Sequence, residues 1–365
     1  MARRVVVVGG GVMGSSAAWH LAARGADVTL FEQFAPGHDR GSSHGSSRIF
    51  RLAYADPFYV GLAVRALPLW RRLEEESDTG VLTLTGAVDH GPGPATGALA
   101  DALTAAGRPV ERVTPEQAAD RWPGLRVDST AVFHPEAGRL HADDAVIAFQ
   151  RAAERRGAVV RHGVRVSGIT LRGAGAEVVT ADGEAVGADS VVVAVGGWAP
   201  VALAALVAGV PALRVTLEQP AHFPAADPLS WPSFIHHGGA GIEPVDGIYG
   251  LGSDDGVKAG FHGIGRVIDP DHDDRTPDPA TIRALQDYAE RWLPGVDADK
   301  PSVVTCLYTT TPDHDFVIDR SGPVTVLAGF SGHGFKFASV IGELAADLVE
   351  GRPGADRFAL GRPTA

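Results

Sequence analysis

The sequence predicts an α/β protein in which a Rossmann-like dinucleotide-binding domain with a β-meander is interleaved with an α+β domain built on a mostly antiparallel sheet. Three observations predict this class. A glycine-rich turn follows the first apolar run of the chain, a second mostly apolar run appears only at residues 188–195, and short alternating stretches precede it. A first βαβ unit that is completed so late indicates that a second domain is inserted into the first.

The N-terminal segment predicts a strand, a turn, a helix and a second strand. Val5–Val8 form a β-branched run, and Gly9, Gly11 and Gly14 then give the pattern G-x-G-x-x-G. The glycines permit a tight turn, close approach of a pyrophosphate and close helix packing, while the helix N-terminus offers free N–H groups. Glu32 ends the second strand, where an acid can accept from ribose hydroxyls. The segment therefore predicts dinucleotide binding, with a solvated Glu32 beside an ordinary turn as the alternative.

The rest of the chain favours FAD over NAD, which the motif alone does not separate. A helix is predicted at about residues 141–156, and the stretches after it read as small antiparallel strands with a turn at Asp182-Gly183. The apolar run that follows ends in Gly196-Gly197-Trp198, as a buried parallel strand does beside a bound ligand. A β-meander in this place fits an FAD-binding domain interrupted by a second domain.

Composition and charge restrict the kinds of partner. The chain has 365 residues, 45% of them hydrophobic and 21% charged, as expected of a globular protein with a large core. The net charge is −12 and no run of five basic residues occurs, so we do not expect nucleic acid as a partner. A single cysteine, Cys306, excludes an internal disulfide and gives no sign of secretion. We expect a cytoplasmic monomer without a metal, because no metal-ligand spacing of histidines occurs.

Two segments share features with targeting or membrane segments. The N-terminus has two arginines before an apolar run, but the run breaks into glycines after four valines, so a first strand explains it better. Residues 191–213 are uncharged and long enough to span a bilayer, but glycines and prolines interrupt them. We predict instead a strand, a turn and a helix that begins at Pro200 and stops at Gly209, and no membrane partner.

Three further stretches, together with the N-terminal motif, carry a resemblance to a known family. They are RGSSHGSSRIFRLAY (residues 40–54), DGVKAGFH (255–262) and TCLYTTTPDHDFVIDR with LAGFSGHGFKFAS (305–339). In this order they resemble the monomeric sarcosine oxidase and N-methyltryptophan oxidase family over nearly the whole chain. The resemblance implies an FAD-dependent oxidase of secondary or N-methylated amino acids, with a small amine as substrate and oxygen, reduced to hydrogen peroxide, as acceptor.

The resemblance gives the solitary cysteine a function. Cys306 in CLYT matches the cysteine that carries the flavin through a thioether at the 8α carbon. A thiolate is a strong nucleophile, and a positive neighbourhood would lower the pKa of the thiol. An inert core cysteine is the alternative, since free cysteines are often buried.

Two cations match the pair that holds the substrate carboxylate. Arg51 supplies a planar fork for two hydrogen bonds, and Lys336 supplies a point charge. Such an anchor would place the reacting carbon of the substrate over the flavin N5. A solvated surface cation is the alternative for each alone, although Lys336 lies in an apolar, glycine-rich run.

The resemblance also implies a catalytic set of Lys258, Arg48, His262 and Tyr249. Lys258 matches the lysine that activates oxygen, where a fixed cation favours electron transfer, and a turn lysine beside two aspartates is the alternative. His262 matches a substrate-site histidine, and Arg48 matches a residue beside the flavin ring. Tyr249 and Tyr308 match tyrosines of the substrate pocket, with ordinary core packing as the alternative.

The run GFSGHGF precedes the last helix, whose free N–H groups and positive end can face the edge of the flavin that is negative when reduced. The complete cofactor set predicted from the motif and the resemblance is Gly9, Gly11, Val12, Met13, Gly14, Glu32, Ser42, His44, Ser47, Arg48, Val166, Ala194, Gly196, Trp198, Cys306, Gly332, His333, Gly334, Phe335 and Lys336. We expect the FAD-binding domain at 1–78, 141–213 and 305–365, and the substrate domain at 79–140 and 214–304.

Departures from the family pattern leave the substrate open. Leu52 stands where the family often has histidine, YGLGS replaces YGFP, and AYADPFY differs from the usual gating loop. An oxidase of a cyclic or biosynthetic imino acid on the same scaffold is the first alternative. A flavin dehydrogenase with a quinone or protein acceptor is the second, against which Lys258 argues. A non-enzymatic dinucleotide sensor is the third, but it would not need Arg51, Lys336 and Cys306 together.

Overall fold

A computed structural model describes residues 2–92, 95–238 and 247–364. The helices in these ranges are α1 (Val12–Ala23), α2 (Pro57–Ser77), α3 (Ala95–Ala105), α4 (Pro115–Arg121), α5 (Ala142–Glu154), α6 (Ala199–Leu203), α7 (Pro279–Trp292) and α8 (Ala338–Val349), with short 3-10 helices at Gly196–Trp198, Pro228–Ser230, Phe335–Phe337 and Asp356–Phe358. Local chemistry sets several starts. Asp56 and Asp278 accept hydrogen bonds from the first turns of α2 and α7, and a proline follows each.

The described strands form five sheets. In chain order the strands are β1 (Arg4–Val8), β2 (Asp27–Glu32), β3 (Arg48–Phe50), β4 (Leu82–Thr83), β5 (Ala87–His90), β6 (Glu111–Val113), β7 (Ala131–His134), β8 (Gly138–Leu140), β9 (Val159–His162), β10 (Val166–Arg172), β11 (Gly175–Thr180), β12 (Ala185–Ala188), β13 (Ser190–Val193), β14 (Arg214–Glu218), β15 (Ala221–Phe223), β16 (Ser233–His237), β17 (Gly247–Ser253), β18 (Gly256–Phe261), β19 (Arg266–Val267), β20 (Ser302–Val303), β21 (Cys306–Thr310), β22 (Val317–Ser321) and β23 (Val324–Ala328).

A six-stranded sheet in the order β22-β23-β13-β1-β2-β9 confirms the Rossmann-like part of the fold. All neighbours in it are parallel except β22 and β23. Val5–Val8 are buried because helices cover one face, where α1 packs against α5 and α8, and further apolar chain covers the other. The glycine turn after β1 therefore opens at the carboxyl edge of the parallel strands, where ligands bind in such sheets.

The β-meander is confirmed with one correction. Strands β10, β11 and β12 form an antiparallel sheet, and the turn between the last two contains Asp182-Gly183 as predicted. The preceding segment, Val159–His162, is not a meander strand: as β9 it pairs in parallel with β2. Pairing with the buried strand β2 therefore decides which sheet this segment joins, and the alternating pattern of its own residues does not. The helix at residue 200 is also shorter than predicted, since α6 ends at Leu203.

The second large sheet has eight strands in the order β20-β15-β18-β17-β16-β5-β7-β6, all antiparallel neighbours except β16 and β5. One face is apolar and packs on α7, with Phe234, Ile248 and Val257 in the same core cluster as Tyr288 and Trp292. Side chains alternate between faces along a strand. The opposite face therefore carries the alternate residues of the same strands, and these are largely polar.

Two smaller sheets join segments that were predicted to belong to different domains. β14 pairs with β19 and β21, and β3 and β4 both pair with β8. Strands predicted for different domains thus share hydrogen bonds, as β14 and β21 do, and the domain boundaries stay a prediction. No helix in the described ranges is both long and apolar enough to cross a bilayer.

Candidate active site

The glycine turn forms a cradle that larger side chains would fill. Gly9 has φ +101°, and a Cβ there would lie 2.4 Å from the carbonyl oxygen of Ala194. A Cβ on Gly14 would lie 1.9 Å from the carbonyl oxygen of Gly9. Gly11 begins α1 without a side-chain cap of its own. The backbone at the start of α1 is therefore open to an anionic group, as a pyrophosphate requires, except at the N–H of Val12, which donates to Ser43 Oγ.

Glu32 closes the other side of this cradle. Its carboxylate accepts hydrogen bonds from the N–H groups of Gly10 and Phe34, at 2.7 and 2.9 Å. His38 Nε2 lies 3.6 Å from one of the oxygens. Each carboxylate oxygen can accept a second hydrogen bond, so the buried Glu32 can still receive a ribose hydroxyl.

The loop of residues 38–47 bridges the cradle and β21. Ser43, which sequence reasoning missed, accepts from the N–H of Val12 at 3.0 Å, and Ser42 donates to the carbonyl oxygen of Leu307 at 2.5 Å. His44 Nε2, Ser46 Oγ and Ser47 Oγ are buried and have no hydrogen-bond partner among the described residues. Burial lowers the pKa of His44 to about 4, with the charges of Arg48 and Lys258 acting in the same direction. Unpaired buried polar atoms are costly, and their position beside the cradle fits a polar cofactor.

Of the other predicted cofactor residues, Ala194 and Val166 lie at strand ends, and Gly196 and Trp198 lie in the 3-10 helix after β13. Ala194 follows β13 and donates its N–H to Val8, while Gly196 has φ +52°. Trp198 packs against Phe34 with the two rings tilted by 53° and their centroids 5.5 Å apart. Val166 begins β10, and Val164 is the residue whose N–H bonds the carbonyl oxygen of Glu32.

Cys306, Arg48 and Lys258 are near enough for their charges to interact, although their strands β21, β3 and β18 belong to three different sheets. Lys258 is inside β18, not in the preceding turn, and is only 5% exposed. Its Nζ lies 3.4 Å from the carbonyl oxygen of Ser47, which also accepts from Arg48 at 2.7 Å. Burial, followed by the charge of Arg48, lowers the pKa of Lys258 to about 7.

Burial has the largest effect on the pKa of the Cys306 thiol. It raises the pKa of Cys306, and the nearby charges of Arg48 and Lys258 only partly offset this effect. The positive neighbourhood thus lowers this pKa as expected, but by less than burial raises it. Glu218, the residue opposite Cys306 in the β14–β21 pair, acts in the same direction as burial. The cysteine is 9% exposed and needs deprotonation to react.

Lys336 and Arg51 both lie within about 6 Å of the centre of the Tyr54 ring. Lys336 Nζ donates to the Tyr54 hydroxyl at 3.0 Å and to the carbonyl oxygen of His333 at 2.8 Å. The Arg51 guanidinium carbon is 5.3 Å from the Tyr54 ring centroid. Burial and the Arg51 charge hold the pKa of Lys336 well below its ordinary value. Lys336 is 7% exposed, so a solvated surface lysine is excluded.

Arg51 has a buried partner that sequence reasoning missed. Its Nη1 donates to Asp89 Oδ1 at 2.7 Å, and Asp89 is fully buried. Burial alone would raise the pKa of Asp89, but the Arg51 charge and contacts with His134 and His237 hold it well below its usual range. The signal was an acid within the strand-like run GAVDHG. Leu52, in contrast, is 1% exposed and packs in the core.

Three further ring side chains, those of Tyr249, Tyr308 and His262, lie near these cations. Tyr249 and Tyr308 are half-buried neighbours, and burial raises the pKa of both phenols. A Cβ on Gly332 would lie 2.2 Å from the Tyr308 ring, so this glycine allows the ring to pack on the GFSGHGF turn. His262 is 5.4 Å from Tyr308 between ring centroids and is open to solvent. Desolvation by the surrounding protein, followed by the Lys336 charge, nevertheless lowers its pKa to about 4.

The GFSGHGF turn holds an unusual backbone. Ser331 has φ +47° and Gly332 has φ +75°. Ser331 is held in this left-handed conformation because its N–H bonds Thr309 and its hydroxyl bonds the carbonyl oxygen of Gly329. Gly334 and Phe335 follow in the 3-10 turn before α8. Strain of this kind persists only where the surroundings fix it and often marks a ligand site.

The polar face of the eight-stranded sheet is where these side chains meet. Tyr249 pairs with Gly260 on β18, so Tyr249 shares a face with Lys258. Around it lie Cys306 with Arg48, and Lys336 with Arg51, brought in from the first and last parts of the chain. The described residues contain no group of three or more His, Cys, Asp or Glu side chains placed to hold a metal ion.

A Rossmann-like sheet with a glycine cradle, interleaved with a sheet whose polar face carries buried cations, defines a flavin-dependent oxidoreductase. Residues 4–348 match the family described as FAD dependent oxidoreductase, so the chain belongs to this family and is an FAD-dependent enzyme. Its resemblance to the sarcosine oxidase and N-methyltryptophan oxidase group is confirmed as well. The chain is 36% identical over 373 residues to monomeric sarcosine oxidase of Streptomyces avermitilis, covering 94% of this chain and 93% of the relative. It is 31% identical over 371 residues to N-methyl-L-tryptophan oxidase of Yersinia pestis, covering 96% and 95%.

Solved structures agree with this class. NikD, described as an unusual amino acid oxidase essential for nikkomycin biosynthesis, aligns with a TM-score of 0.85 at 25% identity, over 98% of this chain and 97% of that one. L-proline dehydrogenase from P. horikoshii aligns with a TM-score of 0.85 at 25% identity, over 99% and 97%.

Proposed function

We propose that the protein is an FAD-dependent oxidase of secondary or N-methylated amino acids, which converts a C–N bond to an imine and reduces oxygen to hydrogen peroxide. One observation carries the proposal. Arg51, Lys336 and Lys258, all wholly or partly buried, come from distant parts of the chain and surround one polar region that also holds Cys306. The relatives named for oxidation of sarcosine and N-methyl-L-tryptophan support this substrate class.

The residues present fit FAD. The Gly9–Gly14 cradle and Glu32 would hold the dinucleotide, and the unpaired polar atoms of His44, Ser46 and Ser47 would face its flavin part. When bound, FAD supplies the oxidation of the C–N bond and the return of two electrons to oxygen. We further propose that Cys306 holds the flavin covalently through a thioether.

The cations have separate functions. Arg51 and Lys336 would bind the substrate carboxylate by charge-assisted hydrogen bonds. Because positive charge favours the neutral form of a nearby amine, the same pair would promote loss of the ammonium proton before oxidation. Lys258 lies beside Arg48 and the carbonyl oxygen of Ser47 and would stabilise negative charge that develops on oxygen.

A substrate screen tests the reaction. Purified holoenzyme is given sarcosine, N-methylated amino acids, cyclic amino acids and primary amino acids, and peroxide release is measured with a coupled peroxidase. We expect release with secondary amines that carry a carboxylate, and little with primary ones. Peroxide release from primary amino acids alone would contradict the proposal.

An oxidase of a cyclic imino acid remains the second candidate, favoured by the structural similarity to L-proline dehydrogenase. The cyclic compounds of the same screen distinguish it. A dehydrogenase would reduce an artificial electron acceptor but release little peroxide. We also propose that the enzyme is a cytoplasmic monomer, which sedimentation equilibrium of the holoenzyme and cell fractionation would test.

A further inference from the structure

Asp89 lies on the same face of the eight-stranded sheet as the residues of the proposed site. It pairs with Ile235 on β16, and Ile235 pairs with Tyr249 on β17. Directly paired residues on neighbouring strands point to the same face. Asp89 and Tyr249 therefore share the polar face and are two strand spacings, about 10 Å, apart. His237, two residues after Ile235, shares this face too.

Asp89 connects Arg51 to two histidines. Arg51 Nη1 and His237 Nε2 both bond Oδ1 of Asp89, at 2.7 and 2.8 Å. His134 Nε2 lies 3.6 Å from Oδ2, which has no hydrogen-bond partner among the described residues. The side chains of Asp89 and His134 are 0% and 1% exposed, whereas those of Arg51 and His237 are 16% and 19% exposed. Of these four residues, Arg51 and His237 are thus the two whose side chains reach solvent-accessible space. Asp89 lies deeper in the protein and bonds both of them.

The contact with Asp89 determines which nitrogen of His237 carries the proton. The Arg51 charge keeps Asp89 ionised, since it holds the pKa of the carboxyl well below its usual range. An ionised carboxylate can only accept hydrogen bonds. Nε2 of His237 must therefore donate, and in the neutral imidazole this leaves a lone pair on Nδ1 at the other side of the ring. His237 then presents a hydrogen-bond acceptor, and no described residue bonds it there.

We propose that His237, oriented by Asp89, contacts the substrate side chain, and that the site takes N-methylated or secondary amino acids whose side chain carries a neutral hydrogen-bond donor such as a hydroxyl. This inference rests on the proposed function for the position of the substrate. With its carboxylate on Arg51, the substrate side chain lies near His237, because both residues bond the same oxygen of Asp89.

The charges nearby exclude the other polar side chains. Arg51 and Lys336 repel a cationic substituent. An ionised acidic substituent has no donor for Nδ1 and competes with the substrate carboxylate for the cations. A neutral donor meets neither difficulty. Asp89 is a positioning residue here, since it is fully buried and acts through Arg51 and His237.

Two unreactive ligands test the site independently of turnover. They are 3-hydroxy-2-(methylthio)propanoate and 2-(methylthio)propanoate, which differ by one hydroxyl and carry sulfur in place of the amine nitrogen. Calorimetric titration of the holoenzyme, with both enantiomers of each, should show about two- to tenfold tighter binding of the hydroxylated ligand, the range of one neutral hydrogen bond. Equal affinities in the wild type would overturn the proposal.

Two substitutions then assign the effect to one ring nitrogen. In His237→Gln the amide nitrogen can replace Nε2 and keep the bond to Asp89, while the acceptor at Nδ1 is lost. The preference should disappear, with binding of the ligand without a hydroxyl unchanged within about twofold. In His237→Asn the amide oxygen can replace Nδ1, and we expect part of the preference to remain. His236→Gln is the matched control, because His236 lies on the opposite face of β16 near Trp292.

The outcomes separate this inference from the proposed function. A hydroxyl preference that persists in His237→Gln means that another residue makes the contact. A preference that His237→Gln removes, in an enzyme that oxidises no N-methylated amino acid, supports the side-chain site and contradicts the proposed substrate class. Turnover of N-methylserine and N-methylalanine completes the comparison: in wild type kcat/KM should favour the former by the same factor, and in His237→Gln it should not.

Discussion

Lys258 should control the reaction of the reduced enzyme with oxygen, and its charge should make that reaction depend on pH near neutrality. The lysine is 5% exposed, and burial with the Arg48 charge lowers its pKa to about 7. About nine-tenths of the side chains are then protonated at pH 6 and about one-tenth at pH 8. If the cation is the reactive form, the rate constant should fall by about tenfold between these two pH values.

Removal of the charge should have a larger effect. A unit charge about 4 Å from a developing anion contributes about 4 kcal/mol at an effective dielectric constant of about 20. That free energy corresponds to about a thousandfold in rate. Lys258→Met should therefore slow reoxidation by about three orders of magnitude and remove its pH dependence near neutrality. Lys258→Arg is the matched control, since an arginine stays charged throughout and should give a flat profile near pH 7.

Stopped-flow spectrophotometry provides the measurement. The enzyme is reduced by substrate under nitrogen and mixed with oxygenated buffer between pH 5.5 and 9, while a separate anaerobic experiment measures reduction by substrate. We expect reduction to change far less than reoxidation in Lys258→Met. An unchanged reoxidation rate in this variant would show that the lysine has no part in the oxygen reaction, and a flat wild-type profile would contradict the titration.

Three further predictions concern the flavin, the carboxylate and the apoprotein. Acid precipitation of the wild type should leave a yellow pellet, whereas Cys306→Ser should leave a colourless one; a wild-type supernatant that held all the flavin would exclude the thioether. Arg51→Ala and Lys336→Ala should each lose about ten- to a hundredfold in kcat/KM for carboxylated amines, the range of one charge-assisted hydrogen bond, and much less for an amide analogue. Equal losses for both compounds would mean that these residues support the fold or the flavin. In the apoprotein, Lys258→Met should raise Tm at pH 7, because the folded pKa of about 7 lies below the ordinary 10.5 and the unfolded chain binds the proton more tightly. The gain should be full at and below pH 7 and should disappear as the pH approaches 10.5; an unchanged Tm at pH 7 would show that the buried ammonium costs no stability.

The sequence predicts the dinucleotide site because every part of it is local in the chain. A β-branched run, three spaced glycines, a helix and an acid at the end of the next strand fall within residues 4–33. Their spacing alone places them at one end of a βαβ unit. The stretches around Lys258, Cys306 and Lys336 were found by resemblance, and the structure brings them to one region, but their assigned functions stay predictions.

The tertiary structure alone decides what depends on distant contacts. Asp89 meets Arg51 across 38 positions and His237 across 148 positions of the chain, and no local pattern specifies either pair. The parallel pairing of β9 with β2 likewise depends on residues far apart in the chain. The alternating pattern of β9 itself predicted an antiparallel meander strand instead. The pKa values of Lys258 and Cys306 depend on how deeply each group is buried and on which charges lie around it. The sequence determines which chemical groups the chain has and how its local elements form. Burial and the interactions between charges depend on distances in space, so they are set only when segments far apart in the chain pack together.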